Sequence, residues 1–469
     1  MLAYALTTVR SIMFRKNDVL TLDITEVNNL GCGVGKIDGM VVFVKGAVSG
    51  DRVEAKVIKV AKSFLAARLE KILVASPYRE TRELCDAPLS CGGCVHRHLS
   101  YAHELDMKRL YVESAFRKAG LADVTVEPTR SVGVDRGYRN KAQYPFGAVA
   151  GKTVVGFYAE KTHKVIPCTD CALQPGIFGE ICRFVCAFAD QSGWSVYDEQ
   201  TGQGLLRHLY LREGKGTGEV MVCLVVNGDK LSGEERFARE LCEAFPCVRS
   251  VMLNVNKRNT NVVLGRDYRT LAGVGYIEDV LCGRRFRIAP AAFYQVNHDG
   301  AELLYGIAAE RAALTEGETL LDLYCGIGTI GLSLAGKDTR VVGVEIVEDA
   351  VNCARENAAR NGMSNAEFFC GDAGDAERLV SEALEKCGDK EKTTVVVDPP
   401  RKGLDAALIR YLAEKQMKKI VYVSCDPDTL ARDCAMFRGL GYEIGNVTPV
   451  DMFPKTGHVE SVVLLCGKL

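Results

Sequence analysis

The sequence predicts a multidomain α/β chain, with a small N-terminal β-barrel, an α+β middle and a C-terminal Rossmann-like domain. Three observations predict this. Short alternating runs separated by glycines fill residues 14–74. Strand-like and helix-like segments mix without a repeat through the middle. From residue 286 onward apolar strands alternate with helical segments, and the strands end in acids or a cysteine. That alternation means a doubly wound parallel sheet with ligands at the carboxyl ends of its strands.

Composition narrows the field. Charged residues are 25% and hydrophobic ones 47%, ordinary for a soluble globular chain. A net charge of −1 excludes a globally basic protein, so a nucleic-acid partner has to be met by local patches. No apolar run approaches the ~18 residues of a membrane span, and the start has no signal-peptide pattern, so neither a membrane partner nor export is expected. Nineteen cysteines without a secretory signal point to a reducing cytoplasm and to thiols or metal ligands rather than disulfides.

In the first region Val19–Thr25 alternates apolar and polar, the period of a half-buried strand. Asp38-Gly39 is a hairpin signal between Gly35-Lys36-Ile37 and Val41–Val44. Several such strands suggest a barrel of oligonucleotide-binding type. Lys16, Lys36, Lys45, Lys56, Lys59, Lys62 and Arg68 suit either a phosphate backbone or a solvated face.

Next come Cys85, Cys91 and Cys94 in a C-x5-C-x2-C spacing, with Gly92-Gly93 allowing a tight turn. Cys168 and Cys171 are candidates for a fourth ligand. The set suits a four-iron cluster or a four-cysteine zinc site. His96 and His98 are near enough to be zinc ligands but are expected to face solvent. Tyr101–Gly120 reads as one amphipathic helix with Leu105, Leu110, Val112, Phe116 and Ala119 as its apolar stripe.

In the middle, Arg136-Gly-Tyr-Arg-Asn-Lys-Ala-Gln-Tyr-Pro-Phe interleaves cations with rings, suited to phosphates and bases or to a strand's polar face. Strands are expected near Val154–Tyr158, Leu205–Leu211, Glu219–Val226, Ser250–Asn254 and Thr260–Leu264, and helices over Phe178–Ala189 and Gly233–Phe245.

The C-terminal region carries the chemistry. Thr319-Leu-Leu-Asp-Leu-Tyr-Cys-Gly-Ile-Gly-Thr-Ile-Gly is strand, glycine-rich turn and helix, and Val341–Glu345 and Thr394–Asp398 are strands ending in acids. Gly326, Gly328 and Gly331 match a dinucleotide fingerprint. However, Asp322 ahead of the first glycine and Asp398-Pro-Pro-Arg401 favour S-adenosylmethionine. Arg401 stands where amino-group methyltransferases usually carry an aromatic ring. Ile420–Val423 reads as a buried strand and Pro427-Asp428 opens a helix, so Cys425 sits at a helix N-terminus, which is expected to lower its thiol pKa. A thiolate and a carboxylate suffice for C5 methylation of uracil. The thiolate adds to C6, C5 takes the methyl group, and a base removes the C5 proton so that the thiolate leaves. Glu460 is the candidate base and His458 the alternative.

Together, Cys85/Cys91/Cys94, Phe293-Tyr-Gln-Val-Asn297, Asp322-Leu-Tyr-Cys-Gly-Ile-Gly, Asp398-Pro-Pro-Arg-Lys-Gly, Ser424-Cys-Asp-Pro and His458-Val-Glu-Ser-Val resemble the RNA uracil-5-methyltransferase family. The resemblance covers nearly the whole chain. It implies an RNA-binding TRAM barrel at 14–74, a central domain of 75–96 and 129–285, a helix at 97–128 packing on the catalytic domain, and a methyltransferase domain at 286–469. It implies Cys425 as nucleophile and Glu460 as base. It assigns Gln295, Tyr324, Thr329, Glu345, Asp372 and Asp398 to S-adenosylmethionine. Cys85, Cys91, Cys94 and Cys171 are assigned to a [4Fe-4S] cluster. Thr329 departs from the Asn of some members. The TRAM barrel and cysteine set resemble the 23S ribosomal RNA branch, with transfer RNA as the alternative substrate and a monomer expected. Competing readings are RNA cytosine-5 methylation, a non-catalytic iron–sulfur RNA-binding module and an iron–sulfur NAD oxidoreductase.

Overall fold

A computed structural model describes residues 14–467 except Leu84, Asp86, Leu89, Lys161 and 372–380. The chain divides into two units. The first holds the N-terminal residues through Arg82, Cys94–Met107 and Lys455–Gly457. The second holds Glu83–Gly93, Lys108–Pro454 and His458 onward.

The first unit is built on a closed barrel of β1 (Val19–Val27), β2 (Cys32–Ile37), β3 (Met40–Lys45), β4 (Arg52–Val60) and β5 (Phe64–Val74), ordered β1-β2-β3-β5-β4. Alternation along β1 sends Leu20, Leu22 and Ile24 inward. Asp38 and Gly39 both have positive φ, 48° and 81°, as a two-residue hairpin between twisted strands requires. The expectation that His96 and His98 face solvent is corrected here. His96 is buried, with its backbone N–H donating to Lys455 O, and burial together with His96 pushes the His98 imidazole down to about 4.

In the second unit, helix α1 (Tyr101–Lys118, entering the unit at Lys108) buries Val112, Ala115 and Phe116 in one core with Leu408, Leu430, Phe437 and Val447. Leu110, expected in the buried stripe, is 45% exposed. The helix turn from Val112 through Ala115 to Phe116 meets the core and leaves Leu110 off that face.

A seven-stranded central sheet runs β12-β11-β10-β9-β6-β7-β8. Its strands are β6 (Lys141–Val149), β7 (Lys152–Tyr158), β8 (Val165–Pro167), β9 (Leu206–Gly214), β10 (Glu219–Val226), β11 (Val248–Val255) and β12 (Asp267–Gly273). Helices α2 (Gly176–Ser192) and α3 (Glu234–Ala244) share a core with its apolar residues. The strand expected at Thr260–Leu264 is an irregular loop instead. A side chain satisfies part of its backbone: Asn256 Nδ2 donates to Val262 O and Val263 O. The neighbouring strand is β12, a few residues later.

After the hairpin of β13 (Ile277–Leu281) and β14 (Arg284–Ile288) and helix α4 (His298–Ala312) comes the second large sheet. It contains β15 (Thr319–Leu323), β16 (Arg340–Glu345), β17 (Ala366–Cys370), β18 (Thr393–Val397), β19 (Lys419–Ser424), β20 (Tyr442–Val450) and β21 (Glu460–Gly467), ordered β17-β16-β15-β18-β19-β21-β20. Helices α5 (Thr329–Leu334), α6 (Glu348–Arg360), α7 (Ser381–Cys387), α8 (Ala406–Glu414) and α9 (Pro427–Gly439) complete the doubly wound layers. β15 is paired in parallel on both sides, by β16 and β18, and the order reverses there. The reversal opens a crevice at the carboxyl ends of those strands.

Candidate active site

Strand register gathers the reactive side chains. β19 and β21 pair antiparallel with Ser424 opposite Ser461, so Cys425 and Glu460, each one residue further out, meet at the same sheet end. Asp398 follows the last residue of β18, the neighbour of β19 on its other side. Asp426 caps α9, its Oδ1 accepting from Asp428 N and Thr429 N at 3.1 Å each, with Pro427 in the first helical turn.

The electrostatics differ from the sequence expectation at one point. The Cys425 thiol is not activated in the unliganded protein. Burial, then Glu460 and Asp398, push it up to about 11, and Arg401 pulls only partly the other way. The helix N-terminus does not prevail because Cys425 precedes the cap, and the Asp426 carboxylate already takes the N–H groups that would stabilise a thiolate. Glu460 is 4% exposed. Burial and Asp398 raise its carboxyl to about 8, while Arg401 opposes. Burial raises Asp398 to about 7. The group therefore holds protons near neutral pH that ordinary carboxylates would have released. Among the described residues, this convergence of a thiol, two carboxyls and a guanidinium suits nucleophilic addition followed by proton removal. His458 is exposed, with its ring 3.3 Å from Arg401 Nη2.

The residues expected to hold the cofactor lie at the ends of β15 and β16 and at the starts of α4 and α5. Asp322 is fully buried. Its Oδ2 accepts from Gly331 N at 2.8 Å, whereas its Oδ1 has no partner. Burial raises its carboxyl to about 7, with Asp398 and Glu345 adding to the rise. Gly331 is required: a Cβ there would lie 2.8 Å from Asp322 Oδ2. Glu345 ends β16 and is fixed by Gly326 N on Oε2 at 3.1 Å and Val347 N on Oε1 at 2.9 Å. Tyr324 turns the chain at φ 69°. Thr329 opens α5 and its Oγ1 accepts from Tyr305 at 3.2 Å. Gln295 is buried before α4, its carbonyl accepting from Asn140 Nδ2, and Asn297 caps that helix. Asp372 lies outside the described residues. An orphaned buried carboxylate oxygen, further acids and a glycine-lined turn fit a cationic, hydroxyl-rich ligand such as S-adenosylmethionine.

Arg401, singled out in the sequence by its place after Asp398-Pro-Pro, acts on both Cys425 and Glu460. Sequence reasoning did not single out two further supports. The buried Asp433 holds Leu404 N and Tyr422 OH, each at 2.8 Å, and so fixes the turn after Asp398-Pro-Pro-Arg401. Lys108 Nζ meets Asp451 Oδ1 at 2.6 Å, steadying the chain that follows β20. An acid within the apolar stripe of α9 is the one local signal for Asp433. The Lys108–Asp451 contact is long-range and leaves none.

Among the described residues no set of three or more Cys, His, Asp or Glu side chains is drawn together closely enough to hold a metal ion. The predicted metal ligands are divided between the units, Cys94 in the first and Cys85, Cys91 and Cys171 in the second. Within the second unit, the Cys168 and Cys171 thiols hydrogen-bond to each other, and Cys85 and Cys91 are near enough to raise the Cys168 thiol. Ala87 N donates to Cys85 Sγ at 3.4 Å.

This crevice on a doubly wound sheet defines an S-adenosylmethionine-dependent methyltransferase. The tRNA (Uracil-5-)-methyltransferase family model matches residues 248–468, and the TRAM domain model matches 14–69. An uncharacterized RNA methyltransferase of Halalkalibacterium halodurans is 40% identical, with 96% of this chain and 97% of that protein covered. One of Clostridium tetani is 40% identical over 97% and 98%. The crystal structure of Pyrococcus abyssi tRNA (uracil-54, C5)-methyltransferase with S-adenosyl-L-homocysteine matches with a TM-score of 0.75, at 29% identity, over 95% of this chain and 99% of that one. The chain belongs to the RNA uracil-5-methyltransferase family.

Proposed function

We propose that the protein methylates C5 of a uridine in 23S ribosomal RNA through a covalent adduct on Cys425. The observation that carries this is the meeting of Cys425, Glu460 and Asp398 at one sheet end beside a crevice built for S-adenosylmethionine. Bound there by Gln295, Tyr324, Thr329, Glu345 and Asp398, S-adenosylmethionine supplies the methyl group as an electrophile. Cys425 Sγ adds to uracil C6 and its proton passes to a neighbouring carboxylate. C5, now nucleophilic, takes the methyl group. Glu460 then removes the C5 proton, the C5–C6 double bond re-forms and the thiolate leaves. Arg401 favours the anionic form of each group in turn.

The same proposal assigns Cys85, Cys91, Cys94 and Cys171 to a [4Fe-4S] cluster. Their spacing and the nearness of Cys85 and Cys91 to the Cys168–Cys171 pair support it. The barrel and cysteine set favour ribosomal RNA. Transfer RNA is the second reading, favoured by the Pyrococcus enzyme, which acts on tRNA and aligns with 95% of this chain.

Nucleoside mass spectrometry tests this. Anaerobically purified protein is incubated with methyl-labelled S-adenosylmethionine and unmodified ribosomal and transfer RNA. Labelled 5-methyluridine in 23S rRNA is expected. Label confined to tRNA would replace the substrate, 5-methylcytidine would replace the base, and no label in any RNA would overturn the reading.

A further inference from the structure

The central sheet carries a cationic cluster that the methyl-transfer site does not use. Lys141 on β6 lies directly opposite Arg212 on β9. Like charges facing each other across a ladder are destabilising, and a buried charge ordinarily has a counter-ion. Among the described residues neither has one. Arg212 is fully buried. Its Nη1 donates to Ala289 O at 3.3 Å and Ala292 O at 2.9 Å, while Nε and Nη2 have no partner. Lys141 is half-buried and bonds to no carboxylate. Burial, then Arg212 and Arg139, push its ammonium down to about 8, the direction expected of a cation crowded by cations. The Asp279 carboxylate is engaged elsewhere, by Gly216 N, Val280 N and the Tyr294 hydroxyl. Arg139 precedes β6, and its charge also reaches the Cys171 thiol. On the same face, two residues along from Lys141, Gln143 is exposed. The adjoining Asn140 bonds to the carbonyl of Gln295, so the cluster flanks the methyl-transfer crevice.

We propose that Lys141, with Arg139 beside it and Arg212 beneath, binds a phosphodiester of the substrate RNA next to the target nucleotide. The missing counter-ion is then the substrate's own backbone. Lys141 donates charge-assisted hydrogen bonds to the phosphate, and the buried Arg212 supplies a positive field that no acid among the described residues pairs with. The inference rests on RNA being the substrate but needs no particular RNA.

The test is the salt dependence of RNA affinity, measured by fluorescence anisotropy on the full chain with a labelled stem-loop RNA carrying one loop uridine. Lys141→Gln is expected to weaken binding about tenfold at low salt, in line with loss of one charge-assisted bond. It should also reduce the slope of log affinity against log salt by about 0.7, the value of one phosphate contact on a single strand. Lys141→Arg should keep both. Should Lys141→Gln fail to fold, Arg139→Gln is read the same way. An unchanged slope in a folded charge-removing variant overturns the proposal. So does a loss of S-adenosylmethionine affinity in calorimetry without a loss of RNA affinity, which would assign the cations to the cofactor's carboxylate. Failure of the methyltransferase reading is separate: the wild-type protein would then label no uridine at all.

Discussion

Glu460→Gln tests whether the carboxylate and the thiol face each other. In the wild-type protein the Cys425 thiol stands at about 11, and Glu460 is the first neighbouring charge that raises it after burial. Glutamine keeps the shape and removes the charge. The thiol pKa should fall by about one unit, equivalent to ~1.4 kcal/mol. At pH 9 the thiolate fraction, and with it the alkylation rate, should rise about tenfold. The effect has its own pH signature. Glu460 titrates at about 8 and is neutral well below that. At pH 6 variant and wild type should therefore react alike, and they should diverge only as pH passes through 8. The assay is time-resolved iodoacetamide labelling, with the Cys425 peptide quantified by mass spectrometry so that other cysteines do not interfere. Superimposed profiles from pH 6 to 9.5 would refute the proximity of the two groups. The same variant should accumulate a covalent RNA adduct in the presence of S-adenosylmethionine, visible as a slow-migrating band, because methyl transfer precedes the step that needs the base.

Other perturbations probe the scaffold. Gly331→Ala drives a Cβ to within 2.8 Å of Asp322 Oδ2 and should cost about 1–3 kcal/mol of stability. Its S-adenosylmethionine affinity by calorimetry should fall as Asp322 shifts. Lys108→Met leaves Asp451 buried without its cation and should cost about 3–5 kcal/mol by denaturant unfolding, and Lys108→Met/Asp451→Leu should recover part of that loss. Asp426→Ala removes the α9 cap and should cost about 1 kcal/mol, with no loss of S-adenosylmethionine binding. Glu460 also makes stability pH-dependent. Its folded pKa of about 8 lies above the ordinary 4.5, so its contribution is fully present below pH 4.5 and is lost as pH rises through 8. The melting temperature of Glu460→Gln relative to wild type should therefore rise between pH 6 and 9.

The β15–α5 and β19–α9 units were legible because their signals are local: an apolar run, a glycine turn or capping acid, then a helix start. Arg340–Glu345 and Lys419–Ser424 fall within a residue or two of the sequence reading for that reason. The Asp38-Gly39 hairpin was legible because only certain residues accept positive φ in succession. What stayed hidden depends on distant partners. Thr260–Leu264 has the composition of a strand, but the Asn256 side chain offers its backbone other hydrogen bonds. His96 is polar and short-range rules place it outside, yet the fold encloses it. The state of Cys425 was misread because the helix terminus is visible in sequence whereas Glu460 and Asp398 arrive by sheet register.

On the proposed mechanism, that difference would let the occupancy of the site govern its own thiol. Asp322, Asp398 and Glu460 all have raised carboxyl pKa values, burial being the first cause in each. Alone, the protein holds the Cys425 thiol protonated, a form that resists oxidation and stray alkylation. A positively charged methyl donor reverses the balance: a cation in the crevice favours the ionised form of every acid around it and of the thiol beside them. Sequestered from water, such a charge acts at lower dielectric than it would in solution. The nucleophile would then become competent only once the donor is in place. In the alkylation assay, a sulfonium ligand should raise Cys425 reactivity more than the neutral S-adenosyl-L-homocysteine does, provided both leave the thiol open to reagent. Equal effects of the two ligands would mean that closure of the pocket, not charge, governs the thiol.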